Sequence, residues 1–231
     1  MTPPTLTPRL ETLAKLVHPC TCMADIGTDH AYLPAYLCME GVCQSAIACD
    51  IRPDPLAHAA ATIRKYRLED RIETRLGSGT SPLSPGEAET LVIAGMGGLL
   101  MGEILQAGMP VIKAADRILL QPMTALPELR EFLNRSGFTV SEEYLVQEDE
   151  KLYHILSVIP EKPEAPYSPA ELYLGRRLLE SRPPLFEEYC RRRREKLEKM
   201  ICGLTQTRSA AAAQKLADCR ALLAEMNRMG L

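Results

Sequence analysis

Two short stretches hold residues whose types and spacing could do chemistry. In Met23-Ala24-Asp25-Ile26-Gly27-Thr28-Asp29-His30-Ala31-Tyr32, an apolar run reaches an acid, turns on a glycine and enters a helical pattern. In an open parallel α/β sheet such a turn lies at the carboxyl edge of a strand, where nucleotides and related cofactors bind. Gly27 lets backbone approach a ligand closely, and the helix start beyond it offers free N–H groups and a positive dipole end. Dinucleotide binders carry Gly-x-Gly-x-x-Gly, whereas Asp29 and Ala31 stand here where the second and third glycines would fall. On the bare pattern an ordinary βα loop is the plainer reading. The second stretch, Gly95-Met96-Gly97-Gly98, closes an apolar run with three glycines in four residues. It permits close approach to a ligand, or simply a tight strand-to-helix turn.

Asp50 joins the first stretch. It ends the apolar run 45–50 and follows Asp25 by 25 positions. Nucleotide-binding α/β folds place the carboxylate that accepts ribose hydroxyls at about that distance. Acids also follow strands as helix caps, which is the plainer role.

The elements that must position these residues are legible as alternating strands and helices. A helix opens at Thr7-Pro8 with Leu10, Leu13, Ala14 and Val17 on one face. Strands are predicted over 21–26, 45–50, 71–76, 90–94 and 117–122, the third ending in Gly77-Ser78-Gly79. The run 90–94 is apolar throughout, as in a parallel strand covered on both faces. Helices are predicted over 32–40, from Asp54, over 99–106 and over 127–135. Strands 138–146 and 151–159 are joined by a short polar link and predict an antiparallel hairpin. Five parallel units closed by an antiparallel hairpin are the mark of methyltransferases that use S-adenosylmethionine. The fold class is therefore α/β, a Rossmann-like methyltransferase sheet with a terminal antiparallel hairpin.

Pro160, Pro163, Pro166 and Pro169 then recur every third residue, which reads as a stiff linker. The division expected is a cofactor-binding domain over 1–160 and a small all-α, coiled-coil-like domain over 161–231. Within the latter, one short helix is predicted over 169–181, followed by two longer ones turning between 203 and 208. Charge changes sign at the boundary: residues 161–231 hold 14 Lys and Arg against 10 Asp and Glu, net +4, leaving 13 against 20, net −7, before it. Arg191, Arg192, Arg193 and Arg194, with Lys196 and Lys199, wrap a helix in positive charge. They suit phosphate contact, with a solvated face pairing with Glu187, Glu188, Glu195 and Glu198 as the alternative.

The overall net charge of −3 argues against general polyanion binding. No apolar run approaches the roughly 18 residues of a membrane span, and no secretory signal is expected at the N-terminus. The eight cysteines lack zinc-site spacing, so they are expected to be reduced and structural in a cytoplasmic, metal-free protein.

Taken together, Asp25-Ile26-Gly27-Thr28-Asp29-His30-Ala31-Tyr32-Leu33-Pro34, the Gly77-Ser78-Gly79 turn, Ile93-Ala94-Gly95-Met96-Gly97-Gly98 and Leu120-Gln121-Pro122-Met123 resemble the bacterial tRNA (adenine-N1)-methyltransferases that modify adenine 22. The likeness runs from about Arg9 to Ile159. It implies a class I methyltransferase fold, S-adenosylmethionine as cofactor with S-adenosylhomocysteine as product, and a C-terminal domain that helps hold tRNA. On this chain it implies a cofactor set of Asp25, Gly27, His30, Asp50, Ile51, Gly77, Ser78, Gly79, Ala94 and Gly95. Asp29, His30, Tyr32 and Met96 are then the candidates at the reacting base, and Arg191 to Arg194, Lys196 and Lys199 at the RNA, in a chain expected to act as a monomer. Many class I enzymes meet the cofactor's adenine with an acid or amide in the third-strand turn, where Ser78 offers a hydroxyl. A small-molecule methyltransferase and a non-catalytic RNA-binding protein are the rival readings, and the Arg191–194 helix weighs against the first.

Overall fold

The computed structural model of the protein describes residues 1–163, 165–206 and 209–231. In chain order its elements are α1 (Pro8–Leu16), β1 (Cys20–Ile26), α2 (Tyr32–Met39), β2 (Cys43–Asp50), α3 (Pro53–Tyr66), β3 (Ile72–Leu76) and β4 (Thr90–Gly97). There follow α4 (Gly98–Ala107), α5 (Met109–Lys113), β5 (Arg117–Thr124), α6 (Leu126–Arg135), β6 (Thr139–Glu148) and β7 (Lys151–Ile159). The last four are α7 (Pro169–Leu174), α8 (Arg176–Ser181), α9 (Phe186–Thr205) and α10 (Ala210–Arg228). Two compact units result, Met1–Glu164 and Ala165–Leu231.

In the first unit seven strands form one sheet in the order β3-β2-β1-β4-β5-β7-β6. The first five are parallel, and β7 pairs antiparallel with both β5 and β6. The continuous apolar runs of the central strands follow from cover on both faces. Leu91, Ile93, Ile118 and Leu120 point into one core with Met101 and Leu105 of α4 and Leu129 and Leu133 of α6. Val92 and Leu119 point into the other, with Leu13 of α1 and Leu37 of α2. Since α1, α2 and α3 lie on one face and α4 and α6 on the other, the strands' carboxyl edge is left as the open end of the layers.

Two local outcomes differ from the sequence reading. The strand expected to stop at Ala94 continues to Gly97, with irregular register beyond Ala94. The glycine stretch therefore stays in the sheet, and Gly98 begins the helix. The helix expected over 169–181 breaks at Gly175 into α7 and α8. The turn expected between 203 and 208 falls on residues that include 207–208, which lie outside those described; α9 ends at Thr205. Strand β6 is tied to α6 by a fully buried ion pair, Arg130 Nη2 to Glu143 Oε1 at 2.6 Å.

In the second unit α9 and α10 pack against each other, with Arg194 beside Asn227 and Met200 beside Cys219, which fixes them as antiparallel. Ser168 and Glu171 form a reciprocal capping box at the start of α7.

Candidate active site

The carboxyl ends of β1, β2 and β4 converge. Backbone N–H groups of Gly27 and Thr28 both donate to the carbonyl of Cys49 on β2, at 2.8 and 2.9 Å. The Gly77 N–H donates to the carbonyl of Asp50 at 2.9 Å, so the three turns are stitched side by side. Gly27 sits at φ +80°, and a Cβ there would lie 1.9 Å from Cε of Met96. The Met96 side chain thus spans from the β4 turn onto the β1 turn, which a larger residue at 27 would block. Gly95, at φ +76°, is pinned by its N–H donating to Gln121 Oε1 at 3.1 Å.

Asp25 is buried, and burial pushes its carboxyl up to about 6. The charge of Asp50 adds to that rise, and a hydrogen bond with the Thr28 side chain opposes it. The same Thr28 hydroxyl accepts the Ala31 N–H at 3.2 Å, so Thr28 braces the helix start. Asp29 is exposed and lies 3.5 Å from Nε2 of His30. Asp50 holds the Arg52 backbone N–H on Oδ1 at 2.7 Å, and its Oδ2 has no hydrogen-bond partner among the described residues.

Next to these acids stands a column of rings. Tyr32 stacks on His30 with centroids 5.1 Å apart and 7° between planes, and His30 stacks on His58 of α3 at 4.8 Å and 6°. Donor atoms of Asp29, His30 and His58 lie within 4.8 Å of one another. Parallel imidazoles present their in-plane nitrogens side by side rather than toward a common centre, so the arrangement is a stack.

Exposed apolar side chains mark the same edge. Apart from Met1, the large exposed hydrophobics of the first unit are Tyr32, Ile51, Leu76, Leu99, Leu100 and Met123. All follow or end a strand at its carboxyl side. Ser78 is exposed between two close-packed glycines, with a Cβ at 77 falling 2.7 Å from Pro82 and one at 79 falling 2.9 Å from Ile104. The fold therefore brings together Asp25, Gly27, Asp29, His30, Tyr32, Asp50, Ile51, the 77–79 turn, Ala94, Gly95 and Met96 along one edge.

These residues fit S-adenosylmethionine. The unpartnered Asp50 oxygen suits a ribose diol, the apolar Ile51 and Leu76 suit an adenine, and the uncapped start of α2 leaves N–H groups free. With the 3-2-1-4-5-7-6 sheet they define a class I, S-adenosylmethionine-dependent methyltransferase. A family described as a methyltransferase domain matches residues 6–156. The tRNA (adenine(22)-N(1))-methyltransferase of Bacillus subtilis (strain 168) is 35% identical over 170 residues, covering 74% of this chain and 71% of that protein. The chain belongs to the tRNA (adenine(22)-N(1))-methyltransferase family. The crystal structure of the B. subtilis M1A22 tRNA methyltransferase TrmK matches with a TM-score of 0.88 and 28% identity, over 97% of this chain and 98% of that one. Streptococcus pneumoniae Sp1610, solved in complex with S-adenosyl-L-methionine, matches with a TM-score of 0.83 and 29% identity, over 95% and 100%.

The cationic stretch in the second unit is less open than its sequence suggests. Arg191 is held by Glu188 at 2.7 Å and also by Glu195. Arg192 meets Glu188 at 2.6 Å, and Arg194 bonds Asn227 and the carbonyl of Leu231. Arg193 lies 3.7 Å from the Tyr173 ring centroid and donates to the Tyr173 carbonyl at 2.9 Å. Lys196 and Lys199 are exposed, and among the described residues no carboxylate stands within ion-pair range of either.

Arg9, Gln121, His58 and Leu76 belong to this edge and were not singled out as site residues from the sequence. Gln121 carried a signal, as a polar residue inside a buried apolar strand. Arg9 carried none, because its partners stand far along the chain.

Proposed function

We propose that this protein transfers a methyl group from S-adenosylmethionine to N1 of adenine 22 in tRNA. The observation that carries the reading is the convergence of Asp25, Gly27 and Asp50 with the Gly95-Met96 turn on one edge, in a chain of this family. Bound S-adenosylmethionine supplies a methyl group activated by its sulfonium charge and leaves as S-adenosylhomocysteine. Adenine N1 attacks with a lone pair it already has, so no residue need remove a proton first. Positioning and exclusion of water then supply most of the acceleration. Asp50 holds the ribose, and Asp25 faces a cationic group of the cofactor. Gly95 and Met96 line the base pocket, and Tyr32, backed by the ring column, stacks on the base. The ring gains positive charge as the N1–methyl bond forms, and the exposed Asp29 carboxylate stabilises it.

N1 lies on the pairing edge of adenine, so the base must be unpaired or extruded from the stack. The helical unit, with its net positive charge, grips the RNA backbone, and Lys196 and Lys199 make the first phosphate contacts. Arg191 to Arg194 add a weaker attraction, because their present partners hold them. In this reading the protein acts as a monomer in the cytoplasm. Among the described residues no helix is long and apolar enough to cross a membrane.

The test is methyl transfer from labelled S-adenosylmethionine to unmodified tRNA, followed by nucleoside analysis. Labelled 1-methyladenosine is expected, and it should vanish in a transcript with guanine at position 22. Label elsewhere, or none, overturns the reading.

A further inference from the structure

Arg9 lies at the base side of this edge, and nothing in the proposed reaction uses it. Its place is fixed from several directions. The backbone N–H of Arg9 donates to Glu148 Oε2 at 3.0 Å. The side chain crosses the ring of Tyr153, with Cζ 5.2 Å from the centroid. Nη1 then donates to Gln121 Oε1 at 2.6 Å, the same oxygen that takes the Gly95 N–H. A Cβ on Gly95 would stand 3.7 Å from that Nη1. The guanidinium is therefore clamped beside the β4 turn.

What it lacks there is an ion pair, although the nearby Glu148 carboxylate feels its charge. A guanidinium has five N–H donors, and among the described residues this one donates only to a neutral amide. Its Nε is buried without any hydrogen-bond partner. Among the described residues no carboxylate stands within ion-pair range of the guanidinium, and Glu148 accepts the Arg9 backbone N–H instead. The residue is half-buried, so its remaining donors can reach a bound anion. A bare guanidinium here would oppose the positive charge that builds on the adenine ring.

We propose that Arg9 is an oxyanion-binding residue of the active site. It seats either the carboxylate of the cofactor or a backbone phosphate flanking the target adenosine. Planar, bidentate capture of such a group uses the donors that Gln121 leaves free. Gln121 is the positioning residue, since one oxygen orients both the guanidinium and the Gly95 turn. The proposal rests on the methyltransferase reading for the identity of the two anions.

The experiment uses the full chain with Arg9→Gln and Arg9→Lys. Affinity is measured for S-adenosylmethionine and for its decarboxylated analogue, and KM for tRNA is measured at several salt concentrations. If the cofactor carboxylate is the partner, Arg9→Gln weakens S-adenosylmethionine roughly tenfold to a hundredfold and leaves the decarboxylated analogue unaffected. If a phosphate is the partner, cofactor affinity holds. KM for tRNA then rises, and the slope of log KM against log salt falls by about 1. Arg9→Lys, which keeps the charge, is expected to fall between wild type and Arg9→Gln. Unchanged constants in Arg9→Gln overturn the proposal. So does a lowered melting temperature with equal losses for both cofactors and no change in salt slope, which would make Arg9 only a bolt for α1. Failure of the wild type to methylate tRNA would instead fault the parent reading, while the two cofactor affinities still test Arg9.

Discussion

Arg9 in the α/β unit and Arg191 to Arg194 in the helical unit are the same residue type in opposite circumstances. Arg9 is clamped in place with one neutral acceptor and an unpartnered buried Nε. Of the four consecutive arginines, Arg191, Arg192 and Arg194 are met by Glu188, Glu195, Asn227 and the carbonyl of Leu231, while Arg193 lies over Tyr173 with its own Nε buried and unpartnered. The acids divide the same way, with Asp25 buried against its own ionisation while Glu188 is held below the usual carboxylate range by Arg191 and Arg192. A clamped cation with free donors at the open sheet edge marks a site, whereas cations paired with neighbouring glutamates mark a scaffold. The conspicuous run in the sequence is thus the more satisfied of the two regions.

The largest effect expected from breaking this contrast is at Asp25. Its carboxyl titrates at about 6 instead of 3.8, so the folded state binds the proton more tightly than the unfolded chain. That contribution to stability is full below 3.8 and is lost as pH rises to about 6. By linkage, ionised Asp25 costs the free protein about 3 kcal/mol above that range. Asp25→Asn should therefore raise the melting temperature at pH 7.5 while weakening S-adenosylmethionine binding. Wild-type affinity should fall as pH drops through 6, and calorimetry at pH 5 and 7.5 checks both. Glu143→Gln makes the opposite kind of change, since it strands the buried Arg130 charge. It should destabilise the fold by about 3 kcal/mol in urea titrations and leave the cofactor affinity of the folded protein unchanged. In the helical unit the effects are smaller and differ between neighbours. Neutralising Lys196 and Lys199 should lower the salt slope of tRNA binding by about 2. Arg191→Gln with Arg192→Gln should lower it by less than about 1, and a larger drop would erase the contrast.

Much of the fold was legible because the evidence for it is local. Apolar runs ended by Asp25, Asp50 and the Gly95 turn mark parallel strands and their carboxyl edge, and the short link at 149–150 marks the closing hairpin. The extension of β4 through Gly97 was not legible, since a glycine run looks like a turn until Pro122 and Thr124 of β5 pair with it. The break at Gly175 was hidden because helical periodicity continues on both sides of it. Arg9 was invisible for a different reason. Its role depends on Gln121, 112 positions away, and on Tyr153 across the sheet. The pairing of Arg191 to Arg194 was foreseen only as one of two outcomes, because spacing places glutamates within reach without saying whether they take the charge.

The most direct test of the site is calorimetric binding of S-adenosylmethionine to wild type and to Asp50→Ala. The unpartnered Oδ2 predicts a loss of roughly tenfold to a hundredfold in affinity, with the free protein folded and its melting temperature lowered only by the lost Arg52 N–H bond. Equal affinity in the two proteins would contradict the assignment of this sheet edge as the cofactor site.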